Sequence, residues 1–141
     1  MLKRSSLILA LLFAFTMLPV FGQAGNIINT KIPFSFIVDG RVLPAGDYQL
    51  MQPTADQDDT WIIRNLKNPS TEAMFTTERE DKVQPRADTY VAFKEVNHKN
   101  YLSDIWTEGS VQGWHVPVAL ELGATAKMHN IKASLGMKSS S

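Results

Sequence analysis

The sequence predicts an all-β fold: a single antiparallel β-barrel or β-sandwich of about six to eight short strands, with a short C-terminal helix. Three observations predict it. Apolar residues recur at every second position in several runs, the signature of half-buried strands. Turn signals separate these runs at a spacing of roughly ten residues. The alternating helical patterns that would build parallel crossovers are missing.

The first 22 residues stand apart from that pattern. Lys3 and Arg4 make a charged start, residues 7–21 are almost wholly apolar, and no Asp or Glu occurs before Asp39. Gly22, Ala24 and Gly25 supply small residues next. This is the layout of a secretory signal peptide, with cleavage expected after Gly22 or Ala24. Pro19 interrupts the apolar run, which falls short of the roughly 20 residues needed to span a bilayer. No Cys stands at the boundary, which excludes a lipid-anchored lipoprotein. The chain is therefore expected to be exported, to periplasm or medium, with no stable membrane span after cleavage.

The chain of 141 residues is long enough for one domain and not two. The expected β domain covers residues 23–130, and a disordered tail is expected over residues 131–141. Beyond Gly22, 12 basic side chains face 14 acidic ones, which is not the footprint of a nucleic-acid-binding protein. Cys is absent, so disulfides and thiolate chemistry are excluded. A domain of this size must then hold itself with its apolar core.

The stretch Ile32-Pro33-Phe34-Ser35-Phe36-Ile37-Val38 predicts the end of a first strand, over residues 27–38. Asp39-Gly40 is a strong hairpin dipeptide, because Gly accepts a positive φ. Leu43-Pro44-Ala45-Gly46 makes a second corner before a strand over residues 47–52. Pro33 cannot donate to a ladder and fits an edge. Asp56, Asp58 and Asp59 mark a turn; they lack the spacing, central Gly and distal Glu of a calcium loop. Trp61-Ile62-Ile63-Arg64-Asn65-Leu66 is a third strand and residues 71–77 a fourth. Residues 78–87, EREDKVQPRA, read as an exposed loop. Residues 88–96 and 101–106 form a hairpin across Asn97-His98-Lys99-Asn100. Trp114-His115-Val116-Pro117 is a short last strand or an extended return. The helix formers between residues 118 and 129 predict the short helix.

Three sets of residues together, Ile32-Pro33-Phe34-Ser35-Phe36, Leu43-Pro44-Ala45-Gly46-Asp47-Tyr48 and Tyr101-Leu102-Ser103-Asp104-Ile105-Trp106 with Gly113-Trp114 and Val116-Pro117, resemble a family of small secreted proteins of unknown function from Acidobacteria and similar soil bacteria. The resemblance covers most of the chain beyond residue 22. It implies export and brings no activity, cofactor or catalytic residue.

The residues offer little established chemistry. His98, His115 and His129 lie far apart, and none shares a metal-ligand spacing with another ligand type, so no metal site or cofactor is expected. Gly-x-Ser-x-Gly and phosphate-cradling Gly loops are absent. The aromatic set is the one candidate ligand-binding surface. Trp61, Trp106 and Trp114 with His115 are its candidate residues, set against the simpler reading that the tryptophans fill a core. Trp114 is the one expected to be partly exposed. The sequence thus points to a non-enzymatic exported domain with a binding or envelope-associated role. Two other readings stand beside it. One is a carrier whose lipocalin-like cavity is lined by Phe34, Phe36, Leu50 and Trp106; the other is a small hydrolase. The partner, protein or small molecule, is not written in the sequence.

Overall fold

The computed structural model describes residues 25–118 and 127–136. The described residues form eleven strands and no helix. They are β1 (Ile27–Ile32), β2 (Phe36–Val38), β3 (Arg41–Leu43), β4 (Gly46–Met51), β5 (Thr60–Asn65), β6 (Glu72–Thr76), β7 (Glu78–Asp81), β8 (Tyr90–Val96), β9 (Lys99–Trp106), β10 (Gln112–His115) and β11 (Lys127–Leu135). Nine of them follow one path, β3-β2-β9-β8-β11-β1-β4-β5-β6. The sheet curls back on itself because β6 runs on into β7, which pairs with β10, which pairs with β9. The result is a nearly closed barrel.

Most pairings are antiparallel, as alternation and turn signals predict. The exception is β2, which lies parallel to β9 through Ile37 and Tyr101. Pro33 is the physical reason. It has no N–H to continue the ladder, so β1 ends beside β4, the chain breaks over residues 33–35, and β2 resumes beside β9. Pro33 thus ends a central strand rather than marking an edge. Asp39 and Gly40 both take positive φ, 49° and 73°, as the β2–β3 hairpin requires. Asn97 and His98 do the same, at 51° and 62°, between β8 and β9. His98 is exposed there.

The inward residues of the first stretch are the expected ones: Ile32, Phe36 and Val38 are buried and Phe34 packs against the core. The Leu-Pro-Ala-Gly-Asp-Tyr corner has a local explanation. The phenol of buried Tyr48 donates to the Pro44 carbonyl at 2.6 Å, which locks the turn that starts β4. The interior is filled by rings meeting edge to face. Phe36 lies 5.1 Å from Tyr48 and 5.4 Å from Phe93 between centroids, and Phe34 lies 5.0 Å from Phe93.

Three expectations are corrected. The polar span 78–87 is not wholly loop, because Glu78–Asp81 form β7. A strand with side chains exposed on both faces carries no apolar alternation to announce it. The short helix expected over residues 118–129 is not seen: residues 127–129 belong to β11, and residues 119–126 lie outside those described. The tail expected from residue 131 is likewise strand as far as Leu135. β11 sits between β8 and β1, so backbone pairing on both sides overrides the helix propensity of its Met, Ala and Leu. The expected signal peptide, residues 1–22, lies outside the described residues.

Two predictions follow from this packing. Tyr48→Phe removes the bond to Pro44 and is expected to lower stability by about 1 kcal/mol in denaturant melts. The second concerns Glu95 on β8, which bonds His129 on β11 at 2.7 Å. That bond, more than the charges of His129, Lys127 and His98, holds the Glu95 carboxyl below the usual carboxylate range. A lowered folded pKa stabilises above the unfolded value, and the benefit is lost as pH falls through the folded one. Melting temperature should therefore drop less between pH 6 and pH 3 in Glu95→Gln than in the parent; equal slopes would refute the coupling.

Candidate functional site

Three adjacent strands, β7, β10 and β9, bring together side chains that the sequence keeps apart. The register pairs His115 with Asp104, and Gly113 with Glu80. Side chains two apart on a strand share a face, so Glu80, Asp104 and His115 project from the same side. The other side of these strands carries Trp114 and Ile105 into the core. Gly113 is required between them. A Cβ there would stand 2.6 Å from the ring of Trp106, which lies across that position.

A β-bulge builds the centre of the site. Opposite Ala92 and Phe93 of β8, strand β9 slips register, so that Asp104 faces Ala92 while Leu102 faces Phe93. Ser103 is the extra residue. Bulges re-aim side chains in this way. The Ser103 hydroxyl is fully buried, 2.7 Å from Asp104 Oδ2 and 3.1 Å from the Ala92 carbonyl. His115 Nδ1 lies 2.9 Å from Asp104 Oδ1. Both Asp104 oxygens are thus engaged, and its side chain is only 12% exposed.

Glu80 completes the group. One ligand-type atom from each of Glu80, Asp104 and His115 lies within 4.8 Å of the others. Glu80 Oε1 leans on the Lys82 ammonium at 3.8 Å. Glu80 Oε2 is shielded from solvent and has no hydrogen-bond partner among the described residues. Burial pushes the Glu80 carboxyl up, and the hydrogen bond and negative charge of Asp104 push it further. Burial also works to raise Asp104, but hydrogen bonds with His115, Ser103 and Glu80 outweigh it and hold Asp104 below the usual range. Lys82 also lies over the Trp106 ring at 5.3 Å, and Arg86 over Tyr90 at 4.7 Å, so cations roof the neighbouring aromatics.

The candidate residues read from the sequence divide. His115 is in the cluster, with its side chain 31% exposed. Trp106 floors the adjacent surface beneath Gly113 and Lys82, itself almost wholly covered. Trp61 is a core residue, meeting Trp114 edge to face at 5.1 Å. Trp114 is 4% exposed, which corrects the expectation of partial exposure. Its indole N–H donates to the Asp58 carbonyl at 3.0 Å, and Arg79 covers its ring. Asp58 also takes the Arg79 guanidinium on its carboxylate, giving the acidic turn a structural role. Glu80 and Asp104 were not singled out by the sequence. One signal was present: an acidic residue inside the strand-forming run Leu102-Ser103-Asp104-Ile105-Trp106.

Chemically, the arrangement is a hydrogen-bonded cluster of one imidazole, two carboxyls and a hydroxyl. Ser103 is aligned on Asp104 rather than on His115, unlike the serine of a Ser-His-Asp triad, which bonds the imidazole. Fold and site together define a small β-barrel bearing a His-and-two-carboxylate cluster on its outer wall. No family model, curated protein or solved structure matches the chain.

Ser103→Ala removes the one hydroxyl proton that Asp104 Oδ2, the nearer acceptor, and the Ala92 carbonyl compete for in a buried place. It is expected to cost about 1–3 kcal/mol in urea unfolding. A change within a few tenths of a kcal/mol would mean that the bulge does not depend on this hydroxyl.

Proposed function

We propose that the chain is an exported, non-enzymatic β-barrel domain that acts by binding through its outer surface, at the face carried by β7, β10 and β9. The observation that carries this reading is the division between a filled interior and an outward polar cluster. Of the four residues that would line a carrier cavity, Phe34 and Phe36 stack on Phe93 and Leu50 is sealed in the core. Trp106 lies on the outer side instead, beneath Gly113. Trp106 thus faces away from the other three, which weighs against a cavity lined by all four and so against the lipocalin-like reading. The buried, diverted Ser103 weighs against the hydrolase reading.

The signal-like start and the resemblance to small secreted proteins support export. No helix among the described residues is long and apolar enough to cross a membrane. The near balance of basic and acidic side chains supports a partner other than nucleic acid.

Native mass spectrometry of the protein recovered from the exported fraction tests the reading. The expected mass is that of a polypeptide beginning at Gln23 or Gly25, with no lipid-sized adduct. A retained apolar ligand of that size would favour the carrier, and an unprocessed chain confined to the cytoplasm would sink export.

A further inference from the structure

We propose that Glu80, Asp104 and His115 form a binding site for one divalent transition-metal cation of the Zn²⁺ class. The inference rests on the surface-binding reading above and names the ligand of that face.

The geometry fits. A cation about 2.0–2.2 Å from nitrogen and oxygen donors needs those donors about 3.0–3.4 Å apart. His115 Nδ1 and Asp104 Oδ1 are already 2.9 Å apart. Glu80 is the ligand that must move, and it has the freedom to do so. Its ligand atom lies within 4.8 Å of the other two, and its side chain is 37% exposed on an edge strand. The donor set has two hard oxygens and one imidazole nitrogen, without thiolate. Imidazole favours Zn²⁺ and its neighbours over Ca²⁺ or Mg²⁺, which prefer oxygen throughout.

Two further observations point to a cation rather than to a structural cluster. The first is Glu80 Oε2, an oxygen hidden from water and turned to the Asp104 carboxylate, with no donor from a third residue among those described, so that the two carboxyls can share only a proton or a cation. Lys82 does not supply one, since it sits on the other oxygen at 3.8 Å and is shared with the Trp106 ring. Arg86 is turned to Tyr90. The second is the support behind Asp104. Ser103 donates to the oxygen that His115 does not use, the outer hydrogen bond by which ligating carboxylates are oriented. The bulge that places Ser103 is thus a positioning device for the metal ligand. When the cation enters, it takes the place of the proton between His115 and Asp104; that proton moves through solvent, and the neutral imidazole then carries its one N–H on Nε2. The half-exposed flank at Glu80 and His115 leaves outward positions for water or for oxygen ligands of a partner.

The test is calorimetric titration of the metal-stripped mature chain with Zn²⁺, Mn²⁺, Mg²⁺ and Ca²⁺ separately. One equivalent of Zn²⁺ should bind and raise the melting temperature, Mn²⁺ more weakly, and Mg²⁺ and Ca²⁺ not at all at about 1 mM. Glu80→Gln and His115→Gln should each weaken Zn²⁺ at least about tenfold, and Ser103→Ala by about 10- to 100-fold. His129→Gln should leave it unchanged. Glu80 and His115 are partly exposed, so their variants should fold, and unchanged circular dichroism will verify it. No Zn²⁺ uptake at about 1 mM, or uptake that survives His115→Gln or Glu80→Gln, overturns the site and leaves a shared proton as the link between the carboxylates. Failure here with a ligand-free native mass removes only the metal; a lipid-sized adduct removes the surface-binding reading itself.

Discussion

The barrel depends on one handover in the strand that runs from Glu72 to Asp81. Its first half, β6, pairs with β5; its second half, β7, pairs with β10. Between them sits Thr77, buried, whose backbone N–H and hydroxyl lie 2.8 and 3.1 Å from the carbonyl oxygen of Asp59. That double anchor pins the bend. With it, a sheet of short strands returns to its own beginning and most edges find partners, as a chain without disulfides requires. Without it, β7 would rest on its four paired positions with β10 and on the Arg79 tie alone. Arg79 on β7 adds a second tie to the same loop through Asp58, and the ring of Trp114 lies beneath its guanidinium.

The polar cluster inherits its geometry from that handover and from the bulge at Ser103. Neither Glu80 nor His115 is held by many contacts of its own. They meet because β7 and β9 flank β10, and because the extra residue in β9 turns Asp104 toward both. A polar group taken out of water is costly unless it is hydrogen-bonded. Here the buried members, Ser103 and Asp104, satisfy one another, while the outer members, Glu80 and His115, keep contact with solvent. The cluster is rigid within and adjustable at its rim.

How far the sequence could be read follows the same physics. Where one strand face is buried and the other wet, period-2 alternation was visible, and β4, β5, β6 and β8 fall within a residue or two of their expected ranges. The turns were visible too, because positive φ at Asp39-Gly40 and Asn97-His98 has a side-chain signature. β7 was hidden because Glu78, Arg79 and Asp81 all face solvent. β11 was hidden because only His129, Ile131 and Ala133 lean inward, while Met128 and Leu135 are largely exposed. Apolar residues on the wet face blur a strand's alternation into a helix-like pattern. The site was the least legible part. Its three members come from three strands, and the register that aligns them is set by a bulge no local pattern declares.

Lys82 is the nearest cation to Glu80 among the described residues, but the pair is 3.8 Å apart and nearly half exposed. Pairs of that kind contribute about 0–1 kcal/mol, because water screens them and two long side chains must be ordered. Holding a second carboxylate beside Asp104, with one oxygen sealed from water, opposes folding, and Lys82 does not offset it fully. No third residue among those described places a donor at Oε2, as Ser103 and His115 do for the two oxygens of Asp104, so relief comes from a proton shared with Asp104 or from a cation. The fold thus spends its hydrogen bonds on fixing Asp104 and leaves its neighbour's lone pair facing the same point in space. An arrangement in which two ligands are held ready and the third is left free to close is what a site needs when its occupant comes from outside the chain.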